Sequence, residues 1–169
     1  MSTLTAPEAS SRDGATAPTG TARQFCTFVL DDLYFGVEVL KVQEVIRYQD
    51  MTRVPLAPGV VQGLINLRGQ IVTAIDLRRR LELPERSDDA RPMNVVVRTS
   101  DGVVSLLVDE IGDVVEVDDA SFERPPDTIS GAARALVTGV YKLKNRLLLA
   151  LDVEQTTVLD AEAGTDRRN

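Results

Sequence analysis

Histidine and tryptophan are absent from this 169-residue chain, and cysteine occurs once. Without histidine there is no usual catalytic base, no commonest metal ligand and no phospho-accepting imidazole. The single Cys26 excludes an intramolecular disulfide framework and, with no histidine beside it, zinc sites of the Cys/His kind. Aromatic residues make up only 4% of the chain. Val, Leu and Ile must therefore supply the core, a bias that favours strands over a helical bundle. The net charge of −7 argues against a dedicated nucleic-acid or anionic-membrane binder, because phosphate binding needs clustered Lys and Arg. No apolar run approaches the roughly 18 residues of a membrane span, and the polar N-terminus lacks the apolar stretch of a signal peptide. These absences together predict a cytoplasmic protein.

What remains is 43% hydrophobic, enough for one compact domain or two very small ones packed together. Residues 1–22, rich in Ala, Ser, Thr, Gly and Pro, are expected to form a disordered leader, and residues 161–169 a flexible tail. Met1 and this leader are taken as those of a free-standing chain. Between them, residues 23–160 alternate short apolar runs with turn residues. Gln24 to Leu30 and Leu33 to Val39 flank Asp31-Asp32 as a hairpin. Gly63 to Leu67 and Gln70 to Ile75 flank Arg68-Gly69, where Gly69 supplies the positive φ of a tight turn. Asp76 then caps a short helix reaching Leu83, stopped by Pro84, with Leu77 and Leu81 facing inward. Residues 85–92 form a charged connector. Two further hairpins are expected over 93–108 and 139–151, with loop over 118–130, a short helix from 130 to 136 and a terminal helix over 152–159.

The two halves resemble each other. An offset of 69 carries Asp32, Val42, Glu44, Val45 and Ile46 onto Asp101, Ile111, Asp113, Val114 and Val115. An offset of 76 carries Gly63 to Gly69 onto Gly139 to Asn145, Ala74 onto Ala150 and Asp76 onto Asp152. Asn145 in place of Gly69 predicts the same left-handed backbone in both turns, since Asn tolerates it best after Gly. The repeat predicts two small β-barrels, over approximately residues 24–84 and 90–155. Each is marginal alone and so packs on the other.

The run Tyr34 to Ile46, the turn Gly63-Leu-Ile-Asn-Leu-Arg-Gly69, Asp76-Leu-Arg78 and Val108 to Val114 together resemble the CheW family of chemotaxis coupling proteins over roughly residues 24–159. The resemblance implies an all-β fold of two five-stranded SH3-like barrels with short helices and a C-terminal helix. It also implies a non-enzymatic adaptor, needing no cofactor or metal, that joins the cytoplasmic tip of chemoreceptors to the regulatory domain of the histidine kinase CheA. The receptor-binding residues it implies are Val42, Glu44, Asn66, Arg68, Ile111 and Val114, near the groove between the lobes. One departure from the family is Val72-Thr73-Ala74, where members commonly carry a proline.

Each of these residues also has an ordinary reading. Arg68 offers a fork of donors to a partner carboxylate or carbonyl, or is a solvated turn residue. Glu44 pairs with a partner or internally, with Arg68 or Arg47. Asn66 is expected to shape the turn. Val42, Ile111 and Val114 form an apolar strip under a receptor helix, or simply core. Arg78-Arg79-Arg80 is read as a solvated helix face and Cys26 as packed. Asp31-Asp32 and Asp88-Asp89 have the composition of a Mg²⁺ site but lack further ligands in register. The alternatives to a chemotaxis adaptor are a CheW-like regulatory module of another pathway and an enzyme working with carboxylates and lysines alone.

Overall fold

The computed structural model describes residues 22–159 apart from 88 and 130. The expected leader and tail lie outside the described residues, except that Ala22 already opens the first strand. Eleven strands follow: β1 (Ala22–Leu30), β2 (Leu33–Glu38), β3 (Val42–Ile46), β4 (Val61–Leu67), β5 (Gln70–Asp76), β6 (Met93–Thr99), β7 (Gly102–Val108), β8 (Glu110–Asp118), β9 (Phe122–Glu123), β10 (Val137–Lys142) and β11 (Leu147–Leu151). Among the described residues three short α-helices are interspersed, α1 (Leu77–Arg80), α2 (Gly131–Leu136) and α3 (Val153–Thr156), with 3-10 turns at Val39–Lys41 and Asp119–Ser121.

The strands form two sheets, one ordered β3-β6-β7-β5-β4 and the other β8-β1-β2-β11-β10-β9. The expected pair of SH3-like β lobes is there, with one departure: the two-residue β9 gives the second sheet a sixth strand.

The lobes do not follow one another along the chain as residues 24–84 and 90–155. The first hairpin, β1-β2, joins the C-terminal hairpin β10-β11, while the middle hairpin, β6-β7, joins β4-β5. Parallel ladders make these joins, Phe35 beside Leu149 in one lobe and Val104 beside Thr73 in the other. Those pairs obey the offsets of 69 and 76, so the repeat is real and its two copies exchange their N-terminal hairpins. Even the irregularities repeat: the ladder shifts between Val61 and Gly63 against β5, and between Val137 and Gly139 against β11.

This exchange accounts for the continuous apolar runs. A strand buried on both faces needs no polar alternation. In β11, Leu148 and Ala150 pack with Phe25, Val117 and Tyr141 inside the six-stranded lobe, while Leu149 and Leu151 face a larger core. In β6, Val96 packs with Ile65, Leu67 and Val72 inside the five-stranded lobe, and Val95 and Val97 join the same larger core. That shared core, with Phe28, Phe35, Leu106 and Val108 completely buried, lies between the lobes and is the biggest of the three.

Both helix starts behave as expected. The Asp76 carboxylate accepts the Arg78 N–H at 3.0 Å, and the Asp152 carboxylate accepts the Gln155 N–H at 3.1 Å, each relieving an orphan donor of a first turn. Helix α1 is shorter than predicted. It ends with Glu82 at φ 59°, where Leu83 N–H returns to the Arg78 carbonyl at 2.7 Å and Glu82 N–H to the Arg79 carbonyl at 3.1 Å, a left-handed stop that usually uses glycine.

The predicted twin turns differ. Arg68 and Gly69 both have positive φ, 52° and 90°, the primed hairpin geometry that matches strand twist. Asn145 does not adopt positive φ. There the closing bond runs from Leu143 N–H to the Arg146 carbonyl, 2.9 Å, and Arg146 is drawn over the Tyr34 ring at 4.1 Å instead of extending β11.

Candidate functional site

Strands β3 and β4 are the two ends of the five-stranded sheet, and the chain after β3 returns to β4 through a bridge between Thr52 and Leu64. The resulting proximity brings Glu44 to Arg68. Arg68 donates from both terminal nitrogens to the two carboxylate oxygens, at 2.6 and 2.7 Å. Glu44 is 19% exposed and Arg68 73%, so the pair lies against the lobe with the guanidinium outermost. Hydrogen bonds from Arg68 hold the Glu44 carboxyl below its ordinary value, and Glu44 raises Arg68 in return. Of the two internal partners considered for Glu44, the structure selects Arg68. The Asn66 amide oxygen accepts the Gly69 N–H at 2.8 Å, which fixes the turn that carries Arg68.

Val42 stands two residues before Glu44 on β3 and is half-buried against the shared core. Its repeat equivalent, Ile111, occupies the matching place on β8 in the other lobe and packs against that same core. Val114, three residues further on, is 58% exposed. Four of the six candidate residues thus belong to the five-stranded lobe and two to the edge strand of the six-stranded lobe. Sequence reasoning had the motif of β8 but not the strand itself, because its alternating charges sit on an edge where only one face needs apolar residues.

Arg78, Arg79 and Arg80 do not form a solvated face. The Arg78 guanidinium meets Asp109 at 2.6 Å with both side chains largely buried, and also donates to the Pro84 carbonyl at 2.7 Å. Arg86, from the connector, bridges Asp109 and Asp76 at 3.1 and 3.0 Å. Asp109 further accepts the Asp31 N–H at 2.9 Å, tying the β1-β2 turn into the network. Burial alone would raise the Asp109 pKa; the hydrogen bonds from Arg78 and Asp31, with Arg78 and Arg86 nearby, outweigh it and hold the carboxyl below its ordinary value. Arg80 reaches the end of α3, donating to the carbonyls of Thr156 at 2.8 Å and Gln155 at 3.0 Å. Arg79 donates to the Gly59 carbonyl at 3.0 Å. Nothing in local sequence pairs Arg86 with Asp109, 23 residues apart, so this cluster was invisible before folding. Cys26 is buried, as expected, and burial pushes its thiol up. Among the described residues no group of three or more Cys, Asp or Glu side chains is placed to hold a metal ion, and no helix is long and apolar enough to cross a membrane.

Two SH3-like lobes that exchange hairpins, share one core and display a chelated ion pair at the seam of one lobe define a double-lobed β scaffold. The family model described as a CheW-like domain matches residues 24–159. The chain is 31% identical over 148 residues to the chemotaxis protein CheW of Bacillus subtilis, covering 88% of this chain and 94% of that one. It is 32% identical over 133 residues to the chemotaxis protein CheW of Klebsiella aerogenes, covering 79% and 80%. Among solved structures, the scaffolding protein TtCheW of Thermoanaerobacter tengcongensis superposes with a TM-score of 0.74 at 26% identity, covering 83% of this chain and 95% of that one. The chain belongs to the CheW family, and like the family it is a scaffold and not an enzyme.

Proposed function

We propose that this chain is the cytoplasmic adaptor that couples chemoreceptors to the histidine kinase CheA in a chemotaxis-type pathway. On this reading the receptor tip is recognised by Val42, Glu44, Asn66, Arg68, Ile111 and Val114, and the kinase regulatory domain by a second face. Beyond family membership, the observation that supports it is the Glu44–Arg68 pair. Internal chelation orients the guanidinium outward, and its remaining donors suit carbonyl or carboxylate groups on a partner helix. Half-buried Val42 and exposed Val114 offer apolar contact of the helix-in-groove kind.

The test is calorimetric titration of the full chain with a chemoreceptor-tip fragment and, separately, with a kinase regulatory domain. Wild type is expected to bind both, and Arg68→Ala to lose at least about tenfold in receptor affinity while keeping the kinase. Unchanged receptor affinity in the variant moves the receptor site elsewhere. Binding to neither fragment overturns the coupling role.

A further inference from the structure

The six-stranded lobe holds an open cavity of about 470 Å³ between β1-β2 and the β11-α3 junction, lined by Arg23, Glu38, Phe122, Thr138, Tyr141 and Asp152 among others. The repeat offsets carry Arg23, Glu38, Thr138 and Asp152 onto Pro92, Leu107, Gln62 and Asp76. All four of those line a cavity of the five-stranded lobe. That second cavity is only about 190 Å³, because the connector before β6 reaches into it. Arg86 places Nη1 3.0 Å from Asp76 Oδ1, and Arg79 Nε lies 3.6 Å from Oδ2.

Among the described residues, the six-stranded lobe has the acceptor without the donor. The Asp152 carboxylate accepts the Gln155 N–H of its own helix start and, among those residues, no side-chain donor. Arg79 falls on Gln155 under the offset of 76, and Arg86 falls on Ala17 under the offset of 69. The cavity's own Arg23 is committed to Glu38 at 2.9 Å and Asp119 at 2.8 Å. Four acidic side chains line the cavity against two basic ones, so its field favours a cation. Its wall is aromatic: Phe122, 43% exposed, meets Tyr141 edge-on at 5.3 Å. A guanidinium satisfies carboxylate and ring together, forking to the first and stacking on the second. This chain already stacks Arg146 on Tyr34 at 4.1 Å and Arg91 on Tyr48 at 5.2 Å.

We propose that this cavity is a docking site for an arginine side chain of a partner protein, which takes the place that Arg86 fills in the other lobe. It stands apart from the Glu44–Arg68 surface and does not depend on the receptor assignment.

The test is a nuclear magnetic resonance titration of the ¹⁵N-labelled full chain with a blocked arginine tripeptide and its citrulline counterpart, which keeps shape and loses charge. Saturable shifts at Tyr141, Asp152 and Glu154 are expected with arginine, and binding at least about tenfold weaker with citrulline. Asp152→Asn still caps the helix, so it should remain folded while weakening arginine binding by a similar factor, and Phe122→Ala should weaken it independently. Equal shifts with citrulline, or full binding by Asp152→Asn, overturn the proposal. If shifts appear only once Arg12→Ala is introduced, the occupant is the chain's own N-terminal arginine and the partner assignment fails.

Discussion

Glu44, on one edge strand of the five-stranded sheet, and Arg68, in the turn that follows the opposite edge strand, are joined by two hydrogen bonds of 2.6 and 2.7 Å. The pair closes the seam of the lobe from the outside, where water screens it. An exposed ion pair of this kind adds little to stability. Replacing Arg68 or Glu44 with Ala is therefore expected to leave the unfolding midpoint almost unchanged while both variants weaken receptor binding. A thermal melt beside the titration checks this; a large drop in the midpoint would make the pair structural.

Asp109 behaves in the opposite way. It is mostly buried with two guanidinium partners, so Asp109→Ala leaves Arg78 and Arg86 short of charge compensation. Breaking a buried pair costs about 3–5 kcal/mol; with the network partly exposed, a loss of roughly 2–3 kcal/mol is expected in urea unfolding at neutral pH. The pH dependence has a definite sign. A carboxyl held below its ordinary value of 3.8 in the fold binds fewer protons folded than unfolded, so its stabilisation is complete above that value and is lost as the pH falls below it. Wild type should lose stability on acidification below about pH 4, and Asp109→Asn should show a flatter dependence over the same range.

Phe28 and Phe35 stack at 5.9 Å in the shared core. Phe28→Ala is expected to cost about 3–5 kcal/mol. Because the largest core belongs to both lobes, unfolding should remain one transition, followed equally by near-ultraviolet signal and by amide exchange in both sheets. Two separate transitions would contradict the shared-core description.

A Cβ added at Gly112 would come 2.6 Å from Thr27 Oγ1, a buried hydroxyl that donates to the Asp113 carbonyl at 2.5 Å. Gly112→Ala should push β8 away from β1 and cost about 1–3 kcal/mol, as overpacking does. Faster amide exchange along β8, with β3 unaffected, is the expected signature.

Much of this architecture was legible in the sequence. The hairpins announced themselves through turns such as Asp31-Asp32 and Arg68-Gly69 between apolar runs, and the two offsets held down to the ladder irregularities. Which hairpin pairs with which did not show, because a repeat fixes what each copy looks like and not whose edge it completes. The Asn66–Gly69 turn was readable from local chemistry. The Arg78–Asp109–Arg86 network was not, since its members meet only after two lobes and a connector converge. Asn145 misled because tolerance of left-handed backbone is permission and not requirement; that turn closes instead through the Leu143 N–H to Arg146 carbonyl bond, with Arg146 over the Tyr34 ring.

The hairpin exchange also sets an order of events during synthesis. Strands β1 and β2 must wait for β10 and β11, whose last residue is Leu151, before their sheet is complete. An emerging chain therefore carries its first hairpin, with Phe25, Phe28 and Phe35, uncovered on that side until β10 and β11 have been made. Such long-range pairing implies high contact order and slow folding, and it exposes apolar surface to chaperones and to other nascent chains meanwhile. The same wiring invites two copies to trade N-terminal hairpins at high concentration, since the hairpin that completes a lobe can come from either molecule.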